Sequence, residues 1–468
     1  MLWLEPVTPL PERLAVGGGT ALFVDGRCRV PGGERIVALD VLAGGAATAA
    51  LGWGLAPPRM HGDDYWWAVL PIPAIDSPRT VALRLRARLA SGQTLAGELG
   101  ELRLVPEIER AAASTAQPES SDGSAVAICM ATYEPDAAML EVQLESIRAQ
   151  THRNWICLIS DDGSSPTARQ MLERAVAGDP RFQLDFAPEN AGFYANFERA
   201  LAMVPPGIEY VALSDQDDRW RPEKLERLLA VIDAEAAELA FSDMRVTTRS
   251  GRVVAETYWQ FRPVNYTDFG SEVLANTITG AASLFRARLL DDALPFPPRH
   301  GAAFHDHWIG QVAMALGRLA YVPEPLYDYV QHDEAALGFL EANGAGRFSG
   351  PPWQRAATWY RRWSRRGYRL AWRVPYFRLY CRVRVATTAL RLRLAGRLAP
   401  DRLAVLEAIE DGPAGLAWLG RRALRDLRGP TATIGRERVM LAGLAWRRGA
   451  FARRRARELR RYLGARSG

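Results

Sequence analysis

Val126-Ala127-Ile128-Cys129-Met130, followed by Ala131-Thr132-Tyr133-Glu134-Pro135, is the stretch whose reading decides the fold. Its first five residues are apolar without a break, as in a parallel strand buried on both faces. Downstream, Leu140, Leu144 and Ile147 repeat at helical spacing and predict a covering helix. Trp155-Ile156-Cys157-Leu158-Ile159 reads as a second strand and runs directly into Ser160-Asp161-Asp162-Gly163-Ser164. Further short strands are expected at 183–186, 210–213 and 239–241, with Leu225, Leu228, Leu229 and Ile232 marking a helix between the last two. Alternating strands and helices predict an α/β unit over residues 125–338 with a mostly parallel sheet. In such a sheet a ligand sits at the carboxyl ends of the strands.

Outward from this unit the pattern changes on both sides. Residues 1–110 carry short alternating runs punctuated by glycine and proline. At 80–88, Val81, Leu83 and Leu85 point to one side and the arginines largely to the other, so a small β-sandwich is expected. Residues 111–124 are small and polar and read as a linker. From 339 to 468 the chain is helical in pattern and rich in arginine interleaved with Trp and Tyr. Residues 341–468 hold 30 arginines against 8 acidic residues, a charge of +22 that leaves −16 on residues 1–340. The single lysine is Lys224.

Two acidic clusters fall at expected strand ends: Asp161-Asp162, and Asp215 with Asp217-Asp218. Carboxylates this dense repel, and a divalent cation or a basic partner relieves the repulsion. Oxygen ligands suit Mg2+ or Mn2+, which can clamp a diphosphate leaving group. A turn-and-cap role is the alternative for Asp161 and Asp162, given the adjoining Gly163 and Ser164. The first strand is followed by neither G-x-x-x-x-G-K-[ST] nor G-x-G-x-x-G, which argues against a P-loop NTPase or a dinucleotide oxidoreductase.

Ala131-Thr132-Tyr133, Asp161-Asp162-Gly163-Ser164, Asn190-Ala191-Gly192 with Asn196, Asp215-Gln216-Asp217-Asp218, Thr279-Gly280 and His305-Asp306-His307-Trp308 occur in an order that resembles family 2 glycosyltransferases. With Gln331-His332 the order is similar to bacterial rhamnosyltransferases of cell-surface polysaccharide synthesis. The resemblance implies the GT-A fold and inversion at the anomeric carbon. It implies that Thr132 and Tyr133 flank the nucleotide, that Asp161 or Asp162 accepts from the base, and that Asn190, Gly192 and Asn196 line the donor pocket. Asp215 would lie near the ribose, Asp217 would ligate the cation with Asp218 and His332 in support, and Asp306 would be the catalytic base. Thr279, Gly280, His305 and Trp308 would form the acceptor side. The Q-x-x-R-W of processive members is missing after Trp308, so a single-addition enzyme is expected.

Each residue also has a plainer reading: a solvated turn for Asp215 to Asp218, a helix cap for Asp306, strand packing for Thr279 and Gly280. His300, His305, His307 and His332 crowd together and are expected at a wet rim of the site, a zinc site being the alternative. The basic, aromatic tail predicts docking to an anionic membrane surface rather than to nucleic acid. With no signal peptide and no run of 18 uncharged apolar residues, a cytoplasmic protein on the inner face of the membrane is expected, its acceptor a glycan or lipid-linked glycan. Four scattered cysteines fit a reducing compartment, and oligomerisation is left open. A sugar-nucleotide nucleotidyltransferase and a non-catalytic carbohydrate-binding scaffold are the alternative functions.

Overall fold

The computed structural model describes residues 2–53, 64–107, 116–119, 121–259, 264, 266–301, 303–331, 373–411, 413–424, 436–445 and 449. Nine strands come first: β1 (Trp3–Pro6), β2 (Arg13–Ala15), β3 (Gly19–Arg29), β4 (Ile36–Ala43), β5 (Ala46–Ala49), β6 (Gly52–Trp53), β7 (Tyr65–Pro73), β8 (Arg79–Leu89) and β9 (Thr94–Val105). They form a four-stranded sheet, β1-β3-β7-β6, packed on a five-stranded one, β2-β9-β8-β4-β5. Strand β8 alternates as its sequence demands, with Leu83, Leu85, Ala87 and Leu89 buried between the sheets.

Strands β3 and β7 bury both faces. Leu22 and Val24 of β3, with Trp66, Ala68 and Leu70 of β7, face the partner sheet. Their neighbours Ala21, Phe23, Tyr65, Trp67 and Val69 belong instead to the core of the α/β region. The reason is legible in Tyr65-Trp66-Trp67-Ala68-Val69-Leu70, an unbroken apolar run where a half-solvated sheet would alternate.

The α/β region follows: β10 (Val126–Thr132), α1 (Ala137–Arg148), β11 (Trp155–Asp161), α2 (Pro166–Val176), β12 (Phe182–Phe186), α3 (Phe193–Ala202), β13 (Tyr210–Ser214), β14 (Arg219–Trp220), α4 (Lys224–Ala234), β15 (Leu239–Thr248), β16 (Val253–Ala255), α5 (Phe269–Leu274), β17 (Ser283–Arg286), α6 (Leu290–Ala293), α7 (His305–Leu316) and β18 (Leu319–Gln331). The sheet runs β12-β11-β10-β13-β17-β15-β18-β14, with β16 on β15. Its expected mostly parallel character is corrected: four of the eight strand pairings are parallel and four antiparallel. Strand β17 carries the difference. It leaves a one-turn helix, Gly280–Ala282, at the end of the sheet where β13 stops, so it must run back against β13 and β15. That reversal delivers Thr279-Gly280 to the carboxyl ends of the parallel strands.

Three further helices are α8 (Arg373–Arg393), α9 (Pro400–Asp411) and α10 (Pro413–Ala423). Helix α8 lies between the N-terminal sheet and the α/β region. Phe377 and Tyr380 set their rings edge-on to Trp67, with centroids 5.2 and 5.7 Å away. Arg393, buried, donates Nε to the Gly19 carbonyl at 2.6 Å and Nη1 to Asp292 and Ala293 at 2.8 and 2.9 Å. One guanidinium thus ties helix α8 to β3 and to the α6 segment, four of its five donors being matched to backbone carbonyls, the fourth on Pro295. Arg402 of α9 donates to the carbonyls of Ala315 and Gly317 at 2.8 and 2.7 Å and so caps the end of α7. Arg393 and Arg402 thus spend part of the tail's basic character on contacts inside the molecule, while Arg378, Arg391 and Arg397 are exposed. The remaining arginine-aromatic segments, 353–372 and 453–457, lie outside the described residues. No helix among the described residues is long and apolar enough to cross a membrane.

Candidate active site

Thr132 ends β10 and Asp161 ends β11, paired in register. Asp161 is buried and fully engaged: Ser164 donates its N–H at 3.0 Å to Oδ1 and its hydroxyl at 2.5 Å to Oδ2, and Thr132 Oγ1 lies 3.3 Å from Oδ2. Asp162, also buried, accepts the N–H groups of Ala191 and Gly192 at 2.9 and 2.8 Å. The Asp161-Asp162 pair therefore closes its own turn and fixes the Asn190-Ala191-Gly192 loop. Gly163 stands between the two loops at φ +78°, where a Cβ would come within 2.7 Å of the Glu189 backbone, so glycine is required there. Asn196, from α3, donates to the Thr132 carbonyl at 3.1 Å and accepts from Ser160 Oγ at 2.6 Å, tying α3 to both strand ends. Asn190 is exposed, as is Tyr133.

Gln216 bridges to Tyr133 through both amide atoms: it accepts the Tyr133 N–H at 2.8 Å and donates to the Tyr133 carbonyl at 3.2 Å. The loop after β10 and the acidic run after β13 are thereby one rigid edge. Within that run Asp215 and Asp217 are half-buried and Asp218 is buried. Burial, with the charges of Asp217 and Asp306, pushes the Asp215 carboxyl up to about 7, against the pull of Lys224. Burial raises Asp218 as well, and neither of its enclosed oxygens completes a hydrogen bond, although the Val330 N–H faces the carboxylate. Its counter-charge is Lys224, itself fully buried and pushed well down from the ordinary lysine range by that burial.

Asp306 opens α7. Asn276 Nδ2 and the His307 N–H donate to Oδ1 at 2.9 and 2.6 Å, and the Gly280 N–H donates to Oδ2 at 3.1 Å. Three donors favour the anion, yet burial outweighs them and holds the carboxyl at about 6. Gly280 sits against this group so closely that a Cβ there would be 2.8 Å from His305 Nε2. Asp306 and Asp215 lie near enough for the charge of one to raise the other. The acidic run and the start of α7, 88 residues apart from Asp218 to Asp306 in the chain, thus meet at one end of the sheet.

His305 and His307 do not stand at a wet rim, and for these two the expectation is corrected. His305 is buried, stacked on Phe197 with centroids 3.7 Å apart, and driven down to about 3 by burial, hence neutral. His307 is buried on the far side of α7, 2.5 Å from the Glu272 carbonyl and 2.8 Å from Gln311 Nε2. Residues two apart on a helix project to different sides, so the pair offers no shared zinc position. His300 packs on Phe23, centroids 4.0 Å apart. Trp308 is likewise a core residue, donating Nε1 to the Ala293 carbonyl at 2.8 Å under the Arg393 guanidinium. Thr279 is half-buried and its carbonyl accepts the Ala282 N–H at 3.0 Å. His332 lies outside the described residues.

Asn276 and Gln143 were not singled out by sequence reading. Gln143 lies on the buried face of α1 beside Leu140 and Leu144, and its side chain meets Ser214 Oγ at 2.7 Å, the residue before the acidic run. A polar side chain on an otherwise apolar helical stripe was the available signal.

Hard oxygen donors of the Asp215 to Asp218 run fit Mg2+ or Mn2+ in chemistry, and the buried Asp218 oxygens, which complete no hydrogen bond, have Lys224 alone set against the charges of Asp215 and Asp217. Among the described residues no three His, Cys, Asp or Glu side chains converge on one point. A cation here would therefore draw part of its shell from a bound phosphate or water, the usual arrangement for Mg2+.

Comparison with known proteins supplies a family for this region: residues 127–294 match the family described as Glycosyl transferase family 2, and over those residues the chain carries a domain of that family. Similar proteins include uncharacterized protein y4gI of Sinorhizobium fredii, 31% identical over 153 residues, which covers 32% of this chain and 15% of y4gI. TuaG of Bacillus subtilis, assigned to teichuronic acid biosynthesis as a glycosyltransferase, is 27% identical over 145 residues, 31% of this chain and 55% of TuaG. The chain thus spans about half or less of the length of these two relatives. Among solved structures, S. aureus TarS residues 1–349 with UDP-GlcNAc is similar at 15% identity and a TM-score of 0.39, over 65% of this chain and 95% of that one. The mannosyltransferase PcManGT of Pyrobaculum calidifontis with GDP-Man and Mn2+ is similar at 17% identity and a TM-score of 0.37, over 72% and 88%. The GT-A assignment expected from the motifs is corrected on this point: at such TM-scores no fold-family name carries over from these glycosyltransferases, and the mixed sheet, packed through α8 onto the N-terminal strands, is described by its own topology.

Proposed function

We propose that this chain is a metal-dependent, inverting, non-processive glycosyltransferase that moves a sugar from a nucleoside diphosphate donor to a hydroxyl of a surface glycan or lipid-linked glycan. The observation that carries this reading is the meeting of the Asp215 to Asp218 run with Asp306 at the carboxyl ends of β10 and β13. A cation held by Asp217, with Asp218 and Asp215 behind it, would neutralise the departing diphosphate. Asp306 takes the proton of the acceptor hydroxyl through Oδ2, which accepts one N–H and keeps a lone pair. Direct displacement, hence inversion, is what the order of the motifs implies. The order of motifs makes dTDP-rhamnose the first donor to test.

A panel of dTDP-, UDP- and GDP-sugars, incubated with the purified chain in Mn2+ or in EDTA, tests the reading through nucleoside diphosphate release. One donor should turn over only with the cation. Absence of both binding and release across the panel sinks the proposal, whereas pyrophosphate release from a nucleoside triphosphate and a sugar phosphate would make the protein a nucleotidyltransferase.

We further infer peripheral attachment to an anionic membrane surface, supported by the +22 charge of residues 341–468 and the arginine-aromatic interleaving of 353–372. The chain should float with phosphatidylserine vesicles at low salt and be released as salt rises, since screening shortens the attraction to about 8 Å at physiological ionic strength. Equal flotation with neutral and anionic vesicles would contradict it.

A further inference from the structure

Of the 59 lysines and arginines of this chain all but one are arginine, and the exception, Lys224, is buried beneath the acidic run. Its Nζ donates to the Ala281 carbonyl at 2.5 Å and sits over the Trp220 ring, 3.3 Å from the centroid, with the Tyr327 ring 5.1 Å away. Asp218 and Asp215 supply the negative charges it faces. Ala281 belongs to the turn Gly280–Ala282, and the neighbouring Gly280 N–H is the donor to Asp306 Oδ2. A short path therefore runs from the Lys224 ammonium, near enough to Asp218 and Asp215 for their charges to act on it, to the Ala281 carbonyl, to the Gly280 N–H and to Asp306. A compact ammonium fits a slot bounded by a ring face and a carbonyl, whereas a planar guanidinium does not.

We propose that Lys224 is a positioning residue that couples the two halves of the site, holding the turn that orients Asp306 against the acidic run that holds the donor. The inference rests on the glycosyltransferase reading. It adds that the ammonium's reach, and not only its charge, is required.

Lys224→Arg in the full chain separates the two, because it keeps the charge and changes the reach. Three quantities are compared with the parent: thermal melting, calorimetric affinity for UDP and dTDP with Mn2+, and kcat and KM for whichever donor the parent turns over. Diphosphate affinity and donor KM should stay within about threefold, while kcat falls about 10- to 100-fold through misplacement of the base. A kcat within about threefold of the parent would show that charge alone suffices, and parallel loss of diphosphate binding and kcat would confine Lys224 to the donor half; either overturns the coupling. Should Lys224→Arg fail to fold, Gly280→Ala moves the same turn from its other side, against His305. It should lower kcat with diphosphate binding kept, and an unchanged kcat there also overturns the proposal. A parent inactive with every donor defeats the glycosyltransferase reading itself, and is recognised before any variant is made.

Discussion

Asp306→Asn should lower transfer by about 10²- to 10⁴-fold, the range expected when a general base is lost, while binding of donor and cation is kept. Asparagine matches aspartate in shape, so Oδ1 can still accept from Asn276 and from the His307 N–H. The amide nitrogen would face the Gly280 N–H in place of an oxygen, so one hydrogen bond is lost and stability should change by about 1 kcal/mol. The pH profile supplies an independent check. Burial holds the Asp306 carboxyl at about 6 rather than in the ordinary aspartate range, so the group is ionised and competent above that pH. Transfer by the parent should fall as pH drops through about 6, and the same limb should vanish in Asp306→Asn. The stability sign is opposite to that of a salt-bridged aspartate. With the folded value raised, ionisation above about 6 opposes folding, and this cost disappears as pH falls below the unfolded value. A variant with near-parental transfer and an intact acid limb would move the base to another residue.

The strand ends were readable in the sequence because each couples an uninterrupted apolar run to an abrupt acidic or polar turn. Val126 to Met130 and Trp155 to Ile159 are strands that pair in parallel, and both acidic clusters fall where β11 and β13 stop. What the sequence could not yield was direction and partnership. Strand β17 is four residues long, and nothing in Ser283-Leu284-Phe285-Arg286 says that it runs backwards; only its entry from the Gly280 turn does. Asp161 and Asp162 look like ligands in the sequence, yet their oxygens are taken up by Ser164, Ala191 and Gly192. A carboxylate that caps a turn and one that awaits a ligand have the same letter. The tail is ambiguous for a related reason: arginine interleaved with aromatic residues fits a lipid surface or a buried helix bonded to carbonyls, and within it Arg393 and Arg402 take the second course. Lys224 was countable from the start, but its meaning needed the slot around it.

Asp217→Asn and Asp218→Asn should fail in different ways, and the difference tests how the acidic run divides its labour. Asp217 keeps access to solvent, whereas Asp218 is enclosed, with the Lys224 charge near enough to act on it. A cation arriving from solvent with its phosphates can reach the first and not the second. Mutating groups that merely orient a ligand costs about 10- to 100-fold in metal affinity, so loss of the ligand itself should cost about 100-fold or more. Asp217→Asn should accordingly show little Mn2+ stimulation, with a smaller change in melting than Asp218→Asn because the side chain keeps access to solvent. In Asp218→Asn a fully buried ammonium loses its counter-charge, and breaking a buried pair from one side destabilises by about 3 to 5 kcal/mol. Its thermal melting should drop sharply before any effect on the cation is measured. Titration of Mn2+ by electron paramagnetic resonance, with calorimetric melting on both variants, reads the two losses separately. Equal melting for both variants, or a cation affinity untouched by Asp217→Asn, would assign the ligand to Asp215 and leave Asp218 without the structural part given to it.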